Sequence, residues 1–228
     1  MPAPTVAFEL YDAIYNFIEN TGHHEQELRQ RINVKSRRDF MTSGRVPLTL
    51  YEQAFLAAED ITGDPSIGMR IGAAAFPSSI GVFYFLSMAG ENVTQIMAAI
   101  NKYFPLAFDF ISLDMVTDET SFRITLQYDN NHRPHRHVVE HLMTHWYCVA
   151  NQLTFDVQNV PRTLYFRHSC AGDPAVVGEI FQSTPVLFDQ EEDRFDLKQE
   201  SLQYHTGLTN RRVFSFSEKR ATNLLLRM

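Results

Sequence analysis

Histidines concentrate at His132, His135, His137, His141 and His145, and the last three fall four residues apart on a segment with helical periodicity. At that spacing they stack along one stripe, and a pair so placed is a workable metal clamp. The zinc-protease pattern needs glutamate directly after the first histidine; here Glu140 precedes His141, and Leu142 holds the required place. With the apolar centre of the helix near Trp146, His137 lies opposite it and His141 only slightly to one side of that pole. This placement predicts solvated imidazoles, with His145 alone at the apolar border and within reach of a pocket.

Other chemistry is sparse. Gly68 and Gly72 are isolated, with no glycine-rich phosphate loop around them, and no G-x-S-x-G marks a serine nucleophile. Cys148 falls on the polar side of its predicted helix and Cys170 in a loop, with nothing to activate either. Glu140 with Glu179 or Asp173 are the candidate paired carboxylates, but chain order does not bring them together. No catalytic residue, metal site or cofactor is assigned, and an enzyme is not expected.

The elements that must position these residues read clearly. Helical spacing covers Val6 to Ile18, Gln26 to Val34, a third helix introduced by Pro47 and stopped at Gly63, and a short one opened by Asp64-Pro65. An amphipathic helix follows Gly90, with Ile96, Ile100, Tyr103 and Phe104 on one face. After Pro105 the period changes. Phe108 and Phe110 alternate, then Ile111, Leu113 and Met115 continue out of phase, which predicts a bulge. Thr117 to Thr120 supplies a turn, and Phe122, Ile124, Leu126 and Tyr128 alternate strictly, completing an antiparallel hairpin. A long helix from about His137 to Phe155 follows, then a strand at Thr163 to His168. Asp173-Pro174 caps another helix, two short strands lie near Val186 and Arg194, and Ser217 can cap a last helix. The fold class is α+β: a helical N-terminal half followed by a mainly antiparallel sheet with crossing helices.

Ile71 to Gly90 is the longest run without a charged residue. It approaches the length of a membrane span, but Pro77, Ser78 and Ser79 divide it into two short pieces. The second piece, capped by Ser79 and running from Ile80 to Ala89, is apolar on nearly every face and is expected to be buried on all sides. Tyr84 and Ser87 are its polar side chains, three residues apart on one face.

With 228 residues the chain can bury a substantial core, and a formal net charge of −7 argues against nucleic-acid binding by bulk electrostatics. The two cysteines make no disulfide framework, and the N-terminus shows no basic stretch followed by an apolar core. A cytoplasmic, membrane-free setting is expected. A basic segment from Arg29 to Arg45 and an acidic one from Asp189 to Glu200 are solvated faces or two halves of an interface.

The order of motifs resembles the N-terminal sensor domain of AraC/XylS-type transcriptional regulators, in the helical, arabinose-binding-like subtype. Thr62, Gly63, Asp64, Pro65, Gly68 and Gly72 match its TGDP-x-x-G-x-x-x-G run. Gly81 matches the start of the next helix, although Ala89 stands where the family's serine falls. Tyr103 and Phe104 match the aromatic helix end, and the segment from Phe166 to Leu197 resembles the closing strand, helix and strand pair. Asp193-Arg194 replaces a common asparagine, and Tyr204-His205 a common proline.

The resemblance implies an effector-binding and dimerisation domain over residues 1–215. Residues 216–228 would then begin a linker to a DNA-binding domain with two helix-turn-helix motifs, outside this sequence. It implies a transcription activator that forms a homodimer and touches DNA only through that other domain. The expected effector is a small apolar or amphipathic molecule, because the candidate pocket wall is Phe83, Tyr84, Ser87, Tyr103, Phe108 and Trp146. His141 and His145 are candidates for a polar group of the ligand. Two other readings stand beside this one: a metal- or haem-dependent sensor or enzyme using His137, His141 and His145, and a dimerisation module without a ligand.

Overall fold

The computed structural model describes residues 3–74, 81–129, 133–153, 162–205 and 209–228. The chain opens with a strand that helical periodicity conceals: Thr5–Ala7 (β1) pairs antiparallel with Arg45–Pro47 (β2). Val6 is therefore a strand residue, and the first helix is Phe8–Asn20 (α1). Glu25–Arg31 (α2) and Leu48–Thr62 (α3) follow, the latter ended by Gly63 at φ 67°, a conformation that a β-carbon disfavours. Asp64 accepts the Ser66 backbone N–H at 2.8 Å and leads into Ile67–Ala74 (α4). Val82–Ala89 (α5) and Val93–Tyr103 (α6) complete the helical half. The predicted break at Pro77 and cap at Ser79 lie outside the described residues.

The second half is built on a five-stranded sheet. Ile111–Thr117 (β3) and Ser121–Tyr128 (β4) form the hairpin. Arg162–Tyr165 (β5), Val186–Leu187 (β6) and Arg194–Lys198 (β7) complete the spatial order β3-β4-β7-β5-β6. Every pairing is antiparallel except β5 with β6, whose connection carries the helix Pro174–Phe181 (α8). The fold is α+β, with a mainly antiparallel sheet. The hairpin register runs without interruption from Ile111↔Tyr128 to Thr117↔Phe122, so the predicted bulge does not form. The change of phase marks where the chain leaves a single bridge, Val6↔Phe108, and enters β3. In the turn, the Asp118 carboxylate accepts the backbone N–H groups of Thr120 and Ser121 at 2.9 and 2.8 Å.

Between the two halves runs Arg136–Leu153 (α7), buried on almost every side. Its predicted end at Phe155 lies outside the described residues, as does His132. Helix α4 crosses it so closely that a β-carbon at Gly68 would lie 2.8 Å from the His137 backbone. One at Gly72 would lie 2.7 Å from the His141 carbonyl oxygen. These two glycines thus serve a helix crossing rather than a phosphate.

The last helix, Arg211–Leu225 (α9), is capped by Asn210, whose side chain accepts from Arg212 and Val213, and not by Ser217, which is buried within it. It runs unbroken across residues 215 and 216 and packs on α5 and α6 through Leu86, Ala89, Ala99, Tyr103, Phe214 and Ala221. Helix α5 is not buried on all sides as its composition predicts: Phe85 is 52% exposed. No helix among the described residues is long and apolar enough to cross a membrane. The charged segments pair locally rather than with each other. Arg37 meets Asp12, Glu19 and Glu25 at 3.3–3.5 Å, and Arg194 meets Glu192 and Asp196 at 3.2 and 2.9 Å.

The crossing is testable. Gly72→Ala pushes a methyl group against backbone and should cost about 1–3 kcal/mol in urea unfolding. Gly178→Ala, in α8 with nothing within 4 Å of the new atom, should instead be neutral or stabilising by about 0.5–1 kcal/mol. Equal midpoints for the two variants would show that the crossing is not held that tightly.

Candidate ligand-binding cavity

A cavity of about 140 Å³ lies between α7, the pair α5 and α6, and the inner face of the sheet. Helix α7 presents His141, Leu142, His145, Trp146, Val149 and Ala150, a stripe of adjacent pairs repeating every four residues. Opposite lie Phe83 and Ser87 of α5 and Ile96, Met97 and Ile100 of α6. Phe104 and Phe108 close one side, and Ile124, Phe195 and Leu197 of the sheet form the floor. The Trp146 ring meets Phe104 edge to face at 5.6 Å, and Phe104 meets Phe108 at 5.7 Å.

Of the residues singled out in the sequence, Phe83, Ser87, Phe108, His141, His145 and Trp146 line this space together. Tyr84 and Tyr103 do not. On α5 the cavity face is set by Phe83 and Ser87, four apart, which turns Tyr84 aside to meet Phe85 edge to face at 5.5 Å. Tyr103 faces α9, where its hydroxyl meets Thr222 Oγ1 at 2.9 Å.

The histidines are buried, not solvated. The helical wheel orients them correctly, but α3 and α4 cover the face it assigns to water. His137 is clasped at both nitrogens, by Glu140 at 3.0 Å and Glu59 at 2.8 Å, and Arg136 bridges the same two carboxylates. Burial works to raise the Glu140 carboxyl, but its hydrogen bond from His137 and the neighbouring charges of His137 and Arg136 prevail and hold it below the usual range. Glu140 therefore belongs to this network. Asp173 caps α8 and Glu179 lies at the surface, so the carboxylate pairs considered from sequence do not form.

One turn further along α7, His141 Nδ1 meets the hydroxyl of the fully buried Tyr51 at 2.5 Å. Burial, with a smaller contribution from His145, pushes the His141 pKa down to about 3, so the ring is neutral. Phenol is the stronger acid and imidazole the stronger base, so the hydroxyl donates to Nδ1. This assigns the proton to Nε2, which has no partner. Burial likewise lowers His145 to about 4; the Gly72 carbonyl opposes this only in part. That carbonyl lies outside proper hydrogen-bond geometry, and both ring nitrogens of His145 stay unpartnered.

Three polar wall residues escaped the sequence reading: Arg162, Ser201 and Tyr204. Arg162 was legible. It shares the period-two face of Leu164 and Phe166, both fully buried, so a strand begun one residue earlier would have turned it inward. Ser201 lies on the 3-10 turn Gln199–Gln203, which no local pattern marks. Among the described residues no group of three or more His, Cys, Asp and Glu side chains is placed to hold a metal ion. The histidine stripe is divided instead: His137 is committed to carboxylates and His141 Nδ1 to Tyr51. Cys148 is half-buried rather than on a polar surface, and burial pushes its thiol up to about 11, away from reactivity.

The two neutral histidines predict an acid instability. In the unfolded chain each takes a proton near pH 6.5, in the folded chain only near pH 3–4. Stability is therefore complete above about pH 6.5 and falls as the pH drops towards about 4, by about 1.4 kcal/mol per pH unit for each group. Urea midpoints across this range should decline less steeply in His145→Gln. An unchanged slope in that variant would contradict the neutral, buried assignment.

The family described as the arabinose-binding domain of AraC transcription regulators, N-terminal, matches residues 22–205. Sequence comparison with curated proteins finds no match. Among solved structures, the transcriptional regulator CdpR from Pseudomonas aeruginosa aligns over 96% of this chain and 65% of its own, with a TM-score of 0.66 and 17% identity. That likeness is one of fold, and the chain spans 65% of the length of that regulator. Because the family match covers most of its length, the chain belongs to the arabinose-binding domain family of AraC transcription regulators, a family of regulatory domains.

Proposed function

We propose that the cavity receives a small, largely apolar organic effector, and that its occupancy controls a DNA-binding domain in the full-length regulator. The observation that carries this reading is an apolar cavity bordered by His141 and His145, buried side chains of which His141 Nε2 and both His145 nitrogens lack partners. Such walls suit a ligand with an apolar body and few polar groups. A sugar fits them poorly, since every hydroxyl left unpaired in so dry a space costs about 1–3 kcal/mol. The name of the family therefore does not define the ligand here. In this reading the domain has no catalytic role and works in the cytoplasm as part of a homodimeric activator. Phe85 of α5 with Val213 and Phe216 of α9 are exposed apolar side chains available to a second copy.

A metal- or haem-based sensor is less well supported, because the stripe's nitrogens are divided between carboxylates, Tyr51 and the cavity. A module without a ligand leaves the unpartnered histidine nitrogens unexplained.

Trp146 is the single tryptophan and lines the cavity, so its fluorescence reports occupancy directly. Octanol and indole should shift its emission and raise the melting temperature, with about 2.7 kcal/mol of stabilisation at a hundredfold excess over Kd. L-Arabinose should do neither. Ser87→Phe, which fills the space from α5, should abolish the response. A response to arabinose alone, or to no probe at all, would overturn the proposal.

A further inference from the structure

Arg162 is almost fully buried at one end of the apolar cavity. Of the five N–H groups of a guanidinium, only those on Nη1 find an acceptor among the described residues, the side-chain oxygen of Asn151. The Tyr147 ring lies 5.8 Å away and offers its face, while Nε has no partner. No carboxylate among the described residues comes within ion-pair distance. Other guanidinium groups drawn into this fold are treated differently. Arg45 meets Asp109 at 3.3 Å, Arg136 meets Glu140 at 3.0 Å and Arg194 meets Asp196 at 2.9 Å. A buried cation without its anion is costly and persists where something else supplies the anion.

We propose that the effector is an elongated organic monocarboxylate, its carboxylate gripped by Arg162 and its apolar body lying along α7. The inference rests on the cavity being the effector site, and it narrows the class of effector. The guanidinium fork matches a carboxylate in plane and spacing. Ser201, on the turn that follows β7, lines the same cavity with an unpartnered hydroxyl and supplies a second donor. It stands close in the fold, since Arg162 pairs with Leu197 on that strand. The charge count favours a monoanion over a phosphate dianion. Arg162 contributes one positive charge, and His141 and His145, kept neutral by burial, contribute none. Asn151 lies ten residues beyond His141 on α7, so about 15 Å of helix separates the cationic end from Tyr51 and its histidine. The body lies between, against Trp146, Val149 and the α6 side chains.

Matched probes test this on the purified chain: octanoate against octanol, and phenylbutyrate against phenylbutanol, titrated by Trp146 fluorescence and thermal shift. Each carboxylate should bind about 10- to 100-fold more tightly than its alcohol. Arg162→Gln should remove that advantage, weakening the carboxylates far more than the alcohols. Arg162→Lys, which keeps the charge and loses the fork, should retain part of it. Alcohols binding as well as carboxylates in the unaltered chain would overturn this inference and leave the cavity reading intact. Binding by neither class would overturn both. The wild-type comparison decides the matter even where an Arg162 variant fails to fold. If Arg162→Gln folds but weakens both classes equally, the side chain only shapes the wall and the inference fails.

Discussion

Helix α7 is buried on almost every side, and most of the fold follows from how that is achieved. One face is apolar and packs in the ordinary way against the sheet and α6. The other carries His137, Glu140, His141 and His145, and it is covered by α3 and α4 rather than by water. Covering such a face requires two things at once. The covering backbone must come close, which Gly68 and Gly72 permit, and each polar group must find a partner or remain a liability. Tyr51, Glu59 and Arg136 are those partners. Tyr51 and Glu59 fix the register of α3 on α7 more narrowly than apolar packing would, because a shift along the helix strips the buried His141 and His137 of a partner.

Partnership declines along this helix. At its start, His137 and Glu140 are fully engaged, with Glu59 and Arg136, in one hydrogen-bonded network. One turn on, His141 has one nitrogen satisfied and one not; another turn on, His145 has neither. Beyond these lies the cavity, with Arg162 holding a single hydrogen bond at the far end. Unmet polar groups cost about 1–3 kcal/mol each in a dry interior, and among the described residues five such atoms, on His141, His145, Arg162 and Ser201, belong to the cavity wall. Apolar side chains large enough to fill the cavity would bury these groups permanently without partners.

Much of the architecture was legible in the sequence because it rests on local rules. The α3 stop at Gly63, the α8 cap at Asp173 and the β3–β4 hairpin are chemistry of neighbouring residues. What failed required knowledge of what lies opposite. The polar face of α7 looked solvent-facing because periodicity reports which residues share a side, never what covers that side. Polarity suggests a ligand contact for Tyr84 beside Phe83 and Ser87; in the fold Phe83 and Ser87 share the face that meets α7 across the cavity, and Tyr84 does not. Val6 has the spacing of a helix, but its pairing with Val46, forty residues away, makes it a strand. Arg162 was hidden by one residue of strand boundary, which is the part of a periodic reading that carries least information.

Under the proposed function, the packing between the cavity and the C-terminal helix offers a route for coupling. Phe83 belongs to the cavity wall and also packs against the apolar cluster that seats α9. Tyr103 in that cluster is followed directly by Phe104 in the wall. Contact alone does not transmit anything, since a ligand shifts an equilibrium only if the alternatives bind it differently. Helix α5 is the element best suited to provide alternatives. It has eight residues, of which Leu86, Ser87 and Ala89 are fully buried, and it begins at Gly81 with a positive φ of 55°. Under the proposed function, an occupant pressed between Trp146 and Phe83 would favour the α5 position that leaves room for it. Leu86 and Ala89, on the same short helix, would carry that choice to Phe214 and Ala221 of α9. Helix α7 is held by charges and close glycines; under the proposed function, the wall that answers the ligand is the one α9 rests upon.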